Sequence, residues 1–413
     1  MAVTIDEAAT DSIPKLRHHA VVIVGGGTAG ITVAARLRKR GFKDVAVVEP
    51  SNSHYYQPLW TLVGGGVVPL AITERPEASV MPRGVNWIKD AVAAFHPDRS
   101  EVELASGQRI GYDYLIVAPG IQVDFDRVRG LTSTLGKNGV TSNYRYDLPP
   151  TTWDFIRNFR GGTALFTFPA GPIKCAGAPQ KIMYLAADYF RRHGIKANII
   201  YATAGPAIFG VKLYQAPLMK VVQRYGIDTR FNHDLVEIDG PGKTATFERV
   251  DDPDRARVTI PFDFAHVTPP QSAPDVIKNS PLSEAEGPQK GYVAVDRATL
   301  RHVKFPNVFA LGDAGSTPNS KTGAAIRKQA PVLVENLVAA MEGRALTAKY
   351  DGYASCPLIT GYGKLILAEF DYEGNAAPSI PIIDTKKERW SMYMVKRHVL
   401  PWLYWNLMLK GRA

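Results

Sequence analysis

Residues 20–24, Ala-Val-Val-Ile-Val, form an unbroken apolar run between a polar leader and a glycine cluster, the pattern of a strand buried on both faces. The cluster Gly25-Gly26-Gly27-Thr28-Ala29-Gly30 leads into a helical pattern reaching about Arg40, and a second apolar run, Val45–Val48, ends in Glu49. Strand, glycine loop, helix and strand in that order predict a βαβ unit over a parallel sheet. The same alternation of buried strands and helical stretches recurs over residues 161–290, beginning with Thr163–Phe168 and continuing with Asn198–Tyr201. A helix is expected from Lys321 to about Met341.

The glycine spacing carries chemistry. In G-x-G-x-x-G after a strand, Gly25 permits the tight turn, Gly27 lets backbone amides approach a pyrophosphate at the helix N-terminus, and Gly30 allows close packing of helix on strand. Glu49, closing the second strand, is placed to accept the adenosine ribose hydroxyls. The fingerprint does not by itself separate NAD from FAD.

At 413 residues the chain exceeds one compact core, and 45% hydrophobic residues exclude a disordered chain. The formal charge of +10 favours an anionic partner, and the excess is uneven: from Lys386 onward seven Lys or Arg (386, 387, 389, 396, 397, 410, 412) stand against one acid, Glu388. No nucleic-acid motif accompanies them, so no nucleic-acid partner is expected. Two cysteines, Cys175 and Cys356, exclude a disulfide scaffold and a four-cysteine metal site. No histidine lies in an i, i+4 pair or beside a cysteine, and no metal centre is expected. The first 19 residues lack the apolar core of a secretory signal, their acids argue against a transit peptide, and no run of about 18 apolar residues predicts a membrane span.

Two distant segments resemble those of flavoproteins with two dinucleotide-binding folds. Residues 111–120, ending Val117-Ala118-Pro119-Gly120, are similar to the strand and turn that leave the FAD domain. Residues 308–313, Val-Phe-Ala-Leu-Gly-Asp, are similar to the second FAD motif, in which the aspartate, here Asp313, meets the ribityl chain. Small residues starting the next helix, Gly323-Ala324-Ala325-Ile326, would let its N-terminus abut the flavin, and that positive end and Lys321 would both stabilise an anionic reduced flavin. Where NADH-using relatives carry a second glycine loop, residues 169–180 hold three prolines and Cys175, so direct reduction by a nicotinamide is not expected. Two cysteines from different parts of the chain, brought to one flavin, would suit sulfur chemistry, since a disulfide accepts a hydrosulfide at one sulfur and releases a reducing thiolate at the other.

Residues 174–184 (Lys-Cys-Ala-Gly-Ala-Pro-Gln-Lys-Ile-Met-Tyr), 355–362, 367–372 and 54–59 closely resemble signature segments of the sulfide:quinone oxidoreductase family, in the form found in mitochondria and some bacteria. The resemblance runs from about residue 20 to the end. It implies an α/β, glutathione-reductase-like fold with two Rossmann-like domains and a C-terminal membrane-associating helical tail. The expected division is an FAD domain over 1–120 and 291–355, a redox-cysteine domain over 121–290, and a quinone and membrane region over 356–413. It further implies FAD held without a covalent bond by Gly27, Thr28, Glu49, Gln57, Val92, Asp313 and Gly323 to Ile326. Cys175 and Cys356 would be the redox pair, with sulfide attacking at Cys356 and Cys175 becoming the thiolate that faces the flavin. Lys174 is expected to lower the Cys175 thiol. Expected partners are sulfide, a quinone, a membrane surface and a small sulfur acceptor of thiol, sulfite or cyanide type.

The last residues interleave tryptophans and aliphatics with cations, the composition of an interfacial anchor, and the protein is expected to sit peripherally on a bacterial inner membrane. Deleting residues 386–413 is expected to spare sulfide-driven flavin reduction. Rival readings are a type II NADH:quinone dehydrogenase, the flavin subunit of a flavocytochrome c sulfide dehydrogenase, and a flavin-binding membrane scaffold without turnover.

Overall fold

The computed structural model describes residues 17–413, so most of the leader read for targeting signals lies outside the described residues. The first apolar run is the centre of a seven-stranded sheet, in which Arg17–Val24 pairs in parallel with Val45–Val48 on one side and with Arg109–Val117 on the other. After nearly two hundred residues the chain returns to this sheet. Val308–Ala310 lies parallel to Leu115–Val117, so the domain is assembled from two separate stretches. Strands Val45–Val48, Arg17–Val24, Arg109–Val117 and Val308–Ala310 all run the same way, and the segments that follow them, carrying Glu49, Gly25, Pro119 and Asp313, emerge at one edge. Such an edge is where parallel sheets hold ligands.

A second sheet of five parallel strands has the order Val140–Thr141, Phe264–His266, Gly162–Phe168, Ala197–Thr203, Asp228–Arg230. Helix Ala178–Arg192 packs its buried face on this sheet, and the loop between Phe168 and Ala178 carries Cys175. A small antiparallel sheet, His233–Asp239, Thr244–Arg249 and Arg257–Pro261, extends the domain.

The hairpin Ala354–Gly361 with Lys364–Phe370 joins the halves. Alternate residues of a strand face opposite sides, and Ala354, Cys356 and Leu358 with Ile366, Ala368 and Phe370 share the core of helix Ala178–Arg192. Their neighbour Ile359 belongs to the core of the first domain, with Leu37 and Leu333.

The C-terminal stretch is broken into short helices, Trp390–Met394, a π-helical turn Val395–Val399, and Leu400–Asn406, and does not stand apart from the fold. Tyr404, Trp405, Met408 and Leu409 are buried against Ile31, Leu37, Tyr56 and Leu59 of the first domain. Full burial of a large apolar side chain contributes about 1.5–3 kcal/mol, so four of them hold the segment firmly. Its other face is open: Trp390 is 67% and Trp402 56% exposed. No helix of the described residues is long and apolar enough to cross a membrane.

Candidate active site around Cys175 and Cys356

The glycine loop has the form its spacing predicts. Gly25 sits at φ +100, where a Cβ would lie 2.5 Å from the Ala118 carbonyl oxygen, and a Cβ on Gly30 would lie 1.8 Å from the Gly25 oxygen. Gly27 instead faces open space. The Glu49 carboxylate accepts from the Gly26 and Ser51 amides, both at 2.7 Å, which fixes it beside the loop. At the other end, Gly323 also faces open space at the start of helix Gly323–Met341, whose Thr322 cap accepts from the Ala325 amide. Among the described residues no hydrogen bond reaches the Asp313 carboxylate; lost solvation raises its pKa, while Lys321 and Lys174 pull it back. Open loop, fixed ribose-type acid, unpartnered carboxylate and capped helix N-terminus fit the expected FAD. Gln57 is exposed at the start of a short 3₁₀ turn, and Val92 starts Val92–His96, an edge strand of the first sheet.

Lys321 is buried, donates to the Gly315 carbonyl oxygen at 3.0 Å and lies 4.0 Å from the Tyr292 ring centroid. Burial brings its pKa down to about 8 despite the nearby Asp313. It is therefore a built-in cation rather than a solvated side chain.

Cys175 is pinned from both sides: its amide donates to the Lys321 carbonyl oxygen at 2.8 Å, and its own oxygen accepts from Ala178 as the helix begins. The residue takes φ +55, a left-handed conformation uncommon for a non-glycine residue and maintained by those bonds. Cys356 reaches the same spot from the hairpin, and the two free thiols stand 3.5 Å apart, Sγ to Sγ. A Cβ on Gly177 would lie 2.8 Å from the Cys356 sulfur, so only glycine lets the loop pass this close.

The pair is electrically lopsided. Lys181, on the first turns of helix Ala178–Arg192, donates from Nζ to Cys175 Sγ at 3.0 Å. The hydrogen bond with Cys356, together with the Lys181 ammonium, outweighs burial and holds Cys175 well below the ordinary thiol range. The same bond, burial and the charge on Cys175 push Cys356 well above it. Burial works against the charge of Lys181, yet the Cys175 and Cys356 sulfurs keep its pKa raised. The arrangement thus favours negative charge on Cys175 over Cys356, with Lys181 placed as its counter-charge.

A second buried lysine faces this group from the C-terminal segment. Lys396, on the π-helical turn and only 3% exposed, donates to the Pro58 carbonyl oxygen at 2.9 Å. Burial and the repulsion of Lys181 bring its pKa down to about 7, against the attraction of both cysteine sulfurs. π-turns inside helices recur at functional sites, and this one turns a charged residue inward.

Two expectations are corrected here. Lys174 is not what lowers Cys175: the cations that act on Cys175 are Lys181 and Lys396, and the charge that acts on Lys174 is Asp313. Nor is the C-terminal segment independent of the sulfur chemistry, because it delivers Lys396. Lys181 lies six residues past Cys175, in the first turn of helix Ala178–Arg192, whereas nothing local in the sequence marks Lys396 as inward-facing.

Comparison with known proteins concerns the family and the fold. The pyridine nucleotide-disulphide oxidoreductase family matches over residues 19–149. The chain is 46% identical over 397 residues to the mitochondrial sulfide:quinone oxidoreductase of Mus musculus, covering 95% of this chain and 87% of that one. It is 47% identical over 398 residues to the mitochondrial sulfide:quinone oxidoreductase of Dictyostelium discoideum, covering 95% and 86%. The solved sulfide:quinone oxidoreductase of Aquifex aeolicus superposes with a TM-score of 0.79 at 19% identity, over 96% of this chain and 92% of that one, a likeness of fold.

Proposed function

The chain belongs to the sulfide:quinone oxidoreductase family, and we propose that it oxidises sulfide at the Cys175–Cys356 pair and passes the electrons through FAD to a quinone. The observation that carries the direction of the chemistry is the Lys181 ammonium 3.0 Å from Cys175 and not on Cys356. With the pair oxidised, hydrosulfide attacks Cys356 Sγ, the Cys175–Cys356 bond breaks, and Cys175 leaves as the thiolate that Lys181 stabilises. A lower leaving-group pKa speeds such an exchange, so attack at Cys356 is favoured over attack at Cys175. Cys356 then carries the incoming sulfur as a persulfide, and the electron pair given up by sulfide resides on Cys175.

Gly27, Thr28, Glu49, Asp313 and the segment Gly323 to Ile326 would hold FAD without a covalent bond, since the two cysteines of the sequence are both committed to the sulfur pair. Bound FAD supplies the two-electron acceptor that passes the pair on to quinone. Lys321 and the Gly323 helix N-terminus would favour the negative charge such an acceptor gains. Cys356 is fully buried, so both the entering sulfide and the acceptor that removes the outer sulfur are small nucleophiles.

Attachment to a membrane surface is supported by the outward face of the C-terminal segment, where Trp390, Val399 and Trp402 are exposed among cations. The names of the two relatives above place them in mitochondria, and the bacterial inner membrane expected from the sequence finds no support there.

The test is an anaerobic titration of the purified protein with sulfide, following flavin absorbance. The wild type should bleach, and Cys175→Ser and Cys356→Ser should each keep the flavin yet neither bleach nor reduce quinone. Turnover by either variant would refute the relay.

A further inference from the structure

The C-terminal segment touches the glycine loop through a buried chain of side chains that the sulfur chemistry does not use. Glu77 Oε2 stands 3.1 Å from His54 Nδ1, His54 Nε2 stands 2.6 Å from the Tyr404 hydroxyl, and that hydroxyl stands 2.8 Å from Thr28 Oγ1. Glu77, His54 and Tyr404 are all at least 95% buried, and Thr28 is the first residue of the helix that follows the loop. The second oxygen of Glu77 has no hydrogen-bond partner and lies 2.9 Å from where a Cβ on Gly26 would be.

Counting protons along this chain gives two arrangements. If His54 Nε2 is bare, Tyr404 donates to it, Thr28 donates to Tyr404, and the one Thr28 proton is consumed inside the protein. If His54 Nε2 carries a proton, it donates to Tyr404, Tyr404 donates to Thr28 Oγ1, and the Thr28 proton is left free. A phosphate oxygen is acceptor-only, so a dinucleotide at the helix N-terminus selects the second arrangement.

We propose that Tyr404, reaching back from the C-terminal segment, is a positioning residue for the dinucleotide: held by His54, its hydroxyl aims the Thr28 hydroxyl as a donor to a phosphate oxygen. The proposal rests on the reading that FAD occupies the glycine loop. It makes docking of the segment and retention of the cofactor a single event.

The experiment measures FAD dissociation from the purified holoenzyme, by the rise of free flavin fluorescence on dilution, for wild type, Tyr404→Phe, Thr28→Val, Thr28→Ser and the double variant Tyr404→Phe/Thr28→Val. Loss of a hydrogen bond to a charged group predicts roughly tenfold weaker binding for Tyr404→Phe and for Thr28→Val. Thr28→Ser should hold FAD like the wild type, and the double variant should be no weaker than Thr28→Val alone. Wild-type retention by Tyr404→Phe, or losses that multiply in the double variant, would overturn the relay and leave Tyr404 a packing residue. If Tyr404→Phe does not fold, the contrast between Thr28→Ser and Thr28→Val decides, equal retention by both overturning the proposal. A wild-type chain that neither purifies with nor takes up FAD would overturn the cofactor reading beneath it.

Discussion

Replacing Lys181 by methionine removes the ammonium from Cys175 while keeping a long, helix-compatible side chain in a buried position. Two unit charges 3.0 Å apart attract by about 5.5 kcal/mol at an effective dielectric of about 20. Keeping the ammonium out of water takes back much of that, leaving the about 1.5–3 kcal/mol of a charged hydrogen bond. Because this bond strengthens as Cys175 becomes the leaving thiolate, the loss falls on the barrier, and flavin reduction by sulfide should slow roughly ten- to hundredfold. Lys396 offsets part of this, since removing Lys181 relieves the repulsion that brings Lys396 down to about 7. The assay is anaerobic stopped-flow with sulfide, set beside dithionite, which reduces a flavin without the thiols. A fall with sulfide alone supports the argument; an unchanged rate, or an equal fall with both reductants, refutes it.

Lys396→Met should stabilise the protein, more so in mild acid than in alkali. The folded pKa of about 7 lies below the 10.5 of an ordinary lysine, so between those values the unfolded chain binds the extra proton, and the lysine's cost to stability is full below pH 7 and fades as pH rises towards 10.5. Thermal melts at pH 6 and pH 9 check this, an equal gain at both pH values counting against it. NADH should not bleach the flavin at a useful rate, because the turn after Gly162–Phe168 is occupied by prolines and by Cys175, and rapid reduction by NADH would restore a nicotinamide site.

What local pattern encodes was readable. An apolar run between glycines makes the strand Arg17–Val24, and the spacing of Gly25, Gly27 and Gly30 reports close backbone approaches that the fold contains. The two cysteines could be paired only through resemblance, since 181 positions separate them and nothing in either segment marks the other. Lys174 looked like the partner of Cys175 because it is adjacent, yet the cations that act on Cys175 are Lys181 and Lys396. Lys396 and Tyr404 read as members of a basic aromatic tail. Their inward faces depend on a π-turn and on docking against residues 338 and 376 positions earlier, distances over which sequence periodicity is silent.

Those separations also set the order in which a newly made molecule matures. The glycine loop and Pro58 leave the ribosome first, and Tyr404 and Lys396 follow 376 and 338 positions behind Thr28 and Pro58, on the order of tens of seconds later. Until then Thr28 lacks Tyr404, the sulfur site lacks the charge of Lys396, and Leu37, Tyr56 and Leu59 lack the apolar cover that Tyr404, Trp405 and Leu409 provide. Cofactor loading, completion of the sulfur site and display of the exposed tryptophans therefore all wait for this one segment, and a chain truncated before Trp390 loses all three at once.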